Sequence, residues 1–277
     1  MRQSKKIIYF GISFLIVNFP GFAQNVYQEA LKQYYSGHLK TAIELFTQSI
    51  NNKEEVSNSY MMRGSAKGML KDLFYAIDDL DSAKLIDSTN KKLFFYYGRT
   101  YSFSGSFYMA IKYYNMAIVR DSSNAAIYDD RAISKAMIKD YLGAIEDETW
   151  AIQKDSLVSV YFLNRGFAKS EAGFCKEAVK DFNRSILLQP EDNIKAYADR
   201  GSAYAKLNEH SNAIKDFTKV IEIVPTAKDA YYLRGLSYIA LKKNGQACLD
   251  FEKSSELGYE AALLQKERHC GHLKKEK

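Results

Sequence analysis

Few side chains in this sequence stand where chemistry usually collects. His269, Cys270 and His272 place three zinc-type donors within four residues. A structural zinc site holds its ligands in pairs at fixed spacings. This Lys-rich chain end lacks them, so it reads as a solvated tail and no metal is expected. His38 and His210 fall between helical stretches and read as solvated too. No Gly-rich phosphate loop, Gly-x-Ser-x-Gly elbow or His-Glu-x-x-His pair occurs. The acidic run Glu146-Asp147-Glu148 lies in the middle of a helical stretch. Neither catalysis nor a cofactor is expected from these residues.

Chemistry of a structural kind does recur. Tyr60-Met-Met-Arg-Gly64, Tyr128-Asp-Asp-Arg-Ala132, Phe162-Leu-Asn-Arg-Gly166, Tyr197-Ala-Asp-Arg-Gly201 and Tyr231-Tyr-Leu-Arg-Gly235 are copies of one phrase. Twelve residues after each closing small residue stands Ala76, Ala144, Ala178, Ala213 or Ala247. Four further on comes Leu80, Glu148, Phe182, Phe217 or Phe251. Two weaker copies share the frame, Ala30 with Ala42 and Phe46, and Gly98 with Ala110 and Tyr114. The small-residue slot thus falls at 30, 64, 98, 132, 166, 201 and 235, steps of 34 residues with a single 35.

Five units carry Arg before the small residue (Arg63, Arg131, Arg165, Arg200, Arg234) and Asp three after the alanine (Asp79, Asp147, Asp181, Asp216, Asp250). The first and third units lack both, having Glu29 with Leu45 and Tyr97 with Tyr113. Joint presence and absence predicts pairing within a unit, an Arg–carboxylate fork clamping the register of two helices. Pairing with the following unit is the alternative, and it would set Asp79 against Tyr97.

Each unit holds two stretches with apolar residues at helical spacing, joined by short loops such as Ser36-Gly37 and Ser104-Gly105. Gly or Ala in one stretch and Ala in the other let two antiparallel helices approach closely. A lone hairpin cannot bury both faces, so neighbours must stack. The period, the aromatic before a small residue, Ala-x-x-x-Phe and the later Pro190 or Pro225 resemble the tetratricopeptide repeat (TPR) family over residues 24–261. The family's Trp slot here holds Tyr or Phe, and its Pro slot holds Ser88, Ser122 and Ser156 elsewhere. The resemblance implies an all-α, right-handed α-solenoid of about seven helix-turn-helix units, at 24–56, 57–90, 91–124, 125–158, 159–193, 194–227 and 228–261. A capping helix starting near Tyr259 would follow, with its end and a basic tail making up 262–277.

In the family, the first helix of each unit lines a concave groove that holds segments of partner proteins. Carried over slot by slot, the groove comprises Tyr27, Leu31, Tyr34, Tyr35, Met61, Met69, Phe95, Arg99, Phe103, Ile133, Met137 and Phe167. Such an apolar, Met- and aromatic-rich stripe suits peptide recognition. Lys195, Asp199, Lys206 and Asp229 make a more polar wall in the later units. The Lys and Asn slots by which some relatives grip a terminal carboxylate hold other residues, for example Tyr27, Met61 and Phe95 in place of Lys. The resemblance therefore implies a non-enzymatic scaffold for protein partners. The alternatives are a structural subunit of an envelope assembly or secretion complex, and, in a different class, a small-ligand- or carbohydrate-binding protein or enzyme.

The chain ends carry the remaining signals. Residues 1–23 read as a cleaved signal peptide: Arg2, Lys5 and Lys6, an apolar run from Ile7 to Phe19, then Pro20 and small residues at Gly21 and Ala23. That run is too short to span a bilayer, so an exported, periplasmic or secreted protein with no membrane span after cleavage is expected. In an oxidising space Cys248 and Cys270 could form a disulfide, with two buried thiols as the alternative; Cys175 reads as free and core-facing. The net charge of +6 is concentrated in the leader and the tail, leaving the body near neutral. Nucleic acid is accordingly not expected as a partner.

Overall fold

A computed structural model describes residues 25–191 and 193–270. The leader and His272 lie outside that range. The described residues form fifteen helices and no strand. Seven hairpins follow one another: α1 (Val26–Tyr35) with α2 (Leu39–Asn51), α3 (Val56–Met69) with α4 (Leu73–Ile86), α5 (Leu93–Phe103) with α6 (Phe107–Arg120), and α7 (Ala125–Met137) with α8 (Tyr141–Lys154). Then come α9 (Ser159–Glu171) with α10 (Cys175–Leu188), α11 (Ile194–Lys206) with α12 (His210–Ile223), and α13 (Lys228–Ala240) with α14 (Asn244–Glu256). Helix α15 (Glu260–Cys270) packs on α14 and covers the end of the stack. Helix α3 begins one residue ahead of the expected unit boundary.

Turn chemistry sets these limits. Seven residues after each small slot, the chain enters the left-handed region, at Gly37, Lys71, Gly105, Lys139, Gly173, Asn208 and Lys242. Glycine and asparagine take that conformation readily, whereas each lysine costs about 1 kcal/mol. Between units, Asp87, Asp121 and Asp155 accept backbone N–H bonds from Thr89, Ser123 and Leu157. These Asx turns end the unit where Pro190 and Pro225 serve later in the chain. Within a hairpin the helices nearly touch: a Cβ on Gly166 or Gly235 would lie 2.7 Å from the ring of Phe182 or Phe251.

One side chain ties the hairpins together. In five units the arginine Nε and Nη2 donate to both oxygens of the same unit's aspartate at 2.5 to 2.9 Å, joining Arg63 to Asp79, Arg131 to Asp147, Arg165 to Asp181, Arg200 to Asp216 and Arg234 to Asp250. All five aspartates are buried. The remaining Nη1 donates backwards, to Thr47, Asn115, Thr149, Asn183 or Thr218 on the second helix of the preceding unit. Each guanidinium also lies 5.2 to 5.7 Å from the centre of the aromatic ring that opens its phrase. The third unit does the same job with other chemistry. Tyr97 stacks on Tyr113 at 4.8 Å and donates its hydroxyl back to Asp81. At the far end Lys266 of the cap reaches Glu252, the matching position of the seventh unit, at 2.7 Å.

A disulfide joins Cys248 of α14 to Cys270 of α15, 22 residues apart, and Cys175 is buried and free. Two outcomes are expected. Asp216→Ala leaves the largely buried Arg200 charge unmatched and should cost about 3 kcal/mol in denaturant unfolding; a loss below about 1 kcal/mol would mean that the fork is dispensable. Replacing Cys248 and Cys270 together by Ser should cost a similar amount, about 3 kcal/mol, by the loop-closure estimate. Addition of reductant should shift the unfolding midpoint of the wild type and leave that double variant unchanged.

Candidate protein-binding groove

Consecutive first helices touch one another along the whole array, from α1 on α3 to α11 on α13. That contact puts them on the inner side of the curve. Polar bonds cross this face from unit to unit: Tyr34 Oη with Ser65 Oγ at 2.8 Å, Arg99 with Asp130 at 3.5 Å, Asn164 to Asp129 at 2.8 Å and Lys206 to Glu171 at 2.8 Å.

The expected stripe divides three ways. Tyr35, Phe103, Ile133, Met137 and Phe167 are exposed. Tyr27, Leu31, Met69 and Phe95 are half-buried against the core of the first units, and the Arg99 guanidinium lies over the Phe95 and Phe103 rings. Tyr34 and Met61 correct the expectation, because both are buried core residues, 5% and 2% exposed. The cause is the close approach of α3 and α5. Ser65, Ala66 and Gly68 are small, and a Cβ on Gly68 would sit 2.9 Å from Thr100 Oγ1. The first three units are therefore wound too tightly to leave an open groove at every slot. His210 also departs from expectation: it is the first residue of α12, half-buried, and its Nδ1 has no hydrogen-bond partner.

The open part of the face lies across units three to five. There Ile133, Met137 and Phe167 border a cavity of about 280 Å³ whose floor is Ala132, Ala144 and Glu148. Glu148 occupies the slot that holds Phe, Tyr or Leu in every other unit, and it is fully buried. No cation pairs with either of its carboxyl oxygens. Asp129, from α7, adjoins it. Burial first, and then repulsion from Asp129, push the Glu148 carboxyl up to about 11, while burial also raises Asp129. Further along, burial pushes Asp199 up to about 6 beside Lys195 and Lys206. The acidic run thus splits into an exposed Glu146, a clamped Asp147 and a buried Glu148. The signal for Glu148 was in the register, since an acid stands in an aromatic slot. Among the described residues, no group of His, Cys, Asp and Glu is arranged to hold a metal, and no helix is long and apolar enough to cross a membrane.

Because the folded pKa of Glu148 lies above its unfolded value, folding takes up a proton. The resulting penalty is absent in acid below about pH 4.5 and grows as pH rises, to about 3 kcal/mol at pH 7. Glu148→Leu, as at Leu80, or Glu148→Phe, as Phe46 beneath Ala30, should remove it. Both variants should gain more stability at pH 7 than at pH 4.5 in urea unfolding; equal gains at the two pH values would show the carboxyl to be compensated.

The tetratricopeptide repeat sequence model matches residues 194–226 and 228–257. The chain is 26% identical over 189 residues to human tetratricopeptide repeat protein 6, covering 67% of this chain and 35% of that protein. It spans about a third or less of the length of the curated relatives it matches. Among solved structures, it is similar to a repeat protein of Cytophaga hutchinsonii (TM-score 0.64, 19% identity, 86% of this chain and 98% of that one). It is also similar to YrrB, described as a TPR protein with an unusual peptide-binding site (TM-score 0.59, 20% identity, 68% and 97%). The sequence match thus covers the last two units, and one hairpin geometry is carried through all seven, so the chain is similar to tetratricopeptide repeat proteins and shares their all-α repeat fold.

Proposed function

We propose that this chain is a non-enzymatic adaptor that holds a segment of a partner protein along its inner face, in an exported compartment. Proteins of this repeat family generally mediate protein–protein interactions. The observation that carries the reading here is the run of exposed apolar side chains Phe103, Ile133, Met137 and Phe167 on three successive first helices. Contiguous exposed apolar surface marks interaction sites. Export is supported by the leader-like residues 1–23 and by a disulfide that needs an oxidising space.

A second reading is a structural subunit of an envelope assembly that uses the outer side. Phe74, Leu85, Tyr108 and Val119, on the second helices α4 and α6, are 75% to 89% exposed. One experiment separates the two. Phe103, Met137 and Phe167 are changed together to Asp, all three being exposed and outside the core. Cross-linked capture of partner from the native compartment should fall about tenfold or more, with helical circular dichroism unchanged. Undiminished capture, lost instead on changing Leu85 and Val119 to Asp, would move the site to the outer side.

A further inference from the structure

Six acidic side chains are buried among the described residues. Five are the clamp aspartates, each held by an arginine. The sixth, Glu148, has no cation against it; its carboxyl lies against that of Asp129, where the two can share a proton, and it faces the cavity on the inner side. Asp129 also accepts a hydrogen bond from the neutral Asn164. Asp130 is occupied by Arg99, and Asp147 by Arg131 and Lys135. Lys195, at the cavity rim, is exposed and lies 5.9 Å from the Phe167 ring centre, with no ion pair to either acid. Two acids with no counter-charge thus sit beneath apolar walls.

We propose that this cavity receives a lysine side chain of the bound partner segment, its ammonium meeting Glu148 and Asp129 and its alkyl stem lying against Ile133, Met137 and Phe167. The inference rests on the groove reading above and names what the groove selects. An ammonium brought against this pair would meet the Asp129 carboxylate and favour release of the proton that Glu148 holds, and the walls suit an apolar stem behind it. The volume, about 280 Å³, is at or below the lower limit of roughly 300 Å³ for sites that enclose whole small ligands, and suits one side chain. A lysine ammonium is a compact charge on a flexible stem. An arginine needs a planar pair of acceptors, and Asn164 already engages one Asp129 oxygen.

The test follows the methionine methyl signals by NMR in the disulfide-intact protein. Nα-acetyl-lysine-N-methylamide should shift the Met137 methyl saturably and leave Met69 and Met116 in place. The norleucine analogue, which lacks the ammonium, and the arginine analogue should each bind about tenfold or more weakly. The same loss is expected with the lysine probe in Glu148→Leu and Glu148→Gln, whose folding is checked by circular dichroism and melting. No lysine response, an equal norleucine or arginine response, or an undiminished response in both variants would overturn the proposal. Peptides selected on the wild-type groove that lack lysine and still bind Glu148→Leu would overturn the lysine pocket while leaving the groove reading intact.

Discussion

The arginine in front of each small residue is the constraint on which the array depends. One planar guanidinium meets four demands at once. It forks onto its own unit's aspartate, lies over its own unit's aromatic, and donates to the second helix of the unit before. Its stem meanwhile fills space between helices. Burying an aspartate is tolerable only because two or three donors reach it; Asp79, Asp147 and Asp181 each gain a lysine as well. Hairpin register and unit-to-unit register are therefore set by the same group. The third unit shows that the geometry matters more than the charge, since stacked tyrosines and a hydroxyl bond to Asp81 occupy the same positions.

Against that regularity, unit four is the exception. It keeps its arginine fork but gives up the aromatic or leucine that fills every other unit's interior, and a carboxyl stands there instead. The loss of volume opens a cavity on the side where the first helices face one another. A destabilising residue at one place in an otherwise consistent repeat is the pattern expected where function has displaced packing. Units one to three go the other way. Small residues on α3 draw α5 in close, and Tyr34 and Met61 become core. The inner face is thus closed at one end and open in the middle.

Much of this was readable from residue order. A 34-residue period with two helical stretches per unit leaves little choice of fold, because each hairpin has an unburied face that only a copy of itself can cover. The Arg and Asp slots are readable as partners because they appear and vanish together. The backward bond to Thr47, Asn115, Thr149, Asn183 and Thr218 also had a signal: those residues recur seventeen positions after the small slot. A Thr or Asn on a helix has too many ordinary uses for that recurrence to stand out.

What the sequence determined by itself is therefore local and periodic: helix pairs, their turns, the slots that must be small or aromatic, and the repeat fold. Tertiary structure alone decided which inner-face residues remain accessible, because exposure depends on how tightly neighbouring units wind. At Gly68 an added Cβ would lie 2.9 Å from Thr100 Oγ1, so the close approach of α3 and α5 depends on that residue being glycine. It also decided that Glu148 is without a counter-charge, since a carboxyl's state follows from every helix packed around it and no spacing along the chain encodes that count.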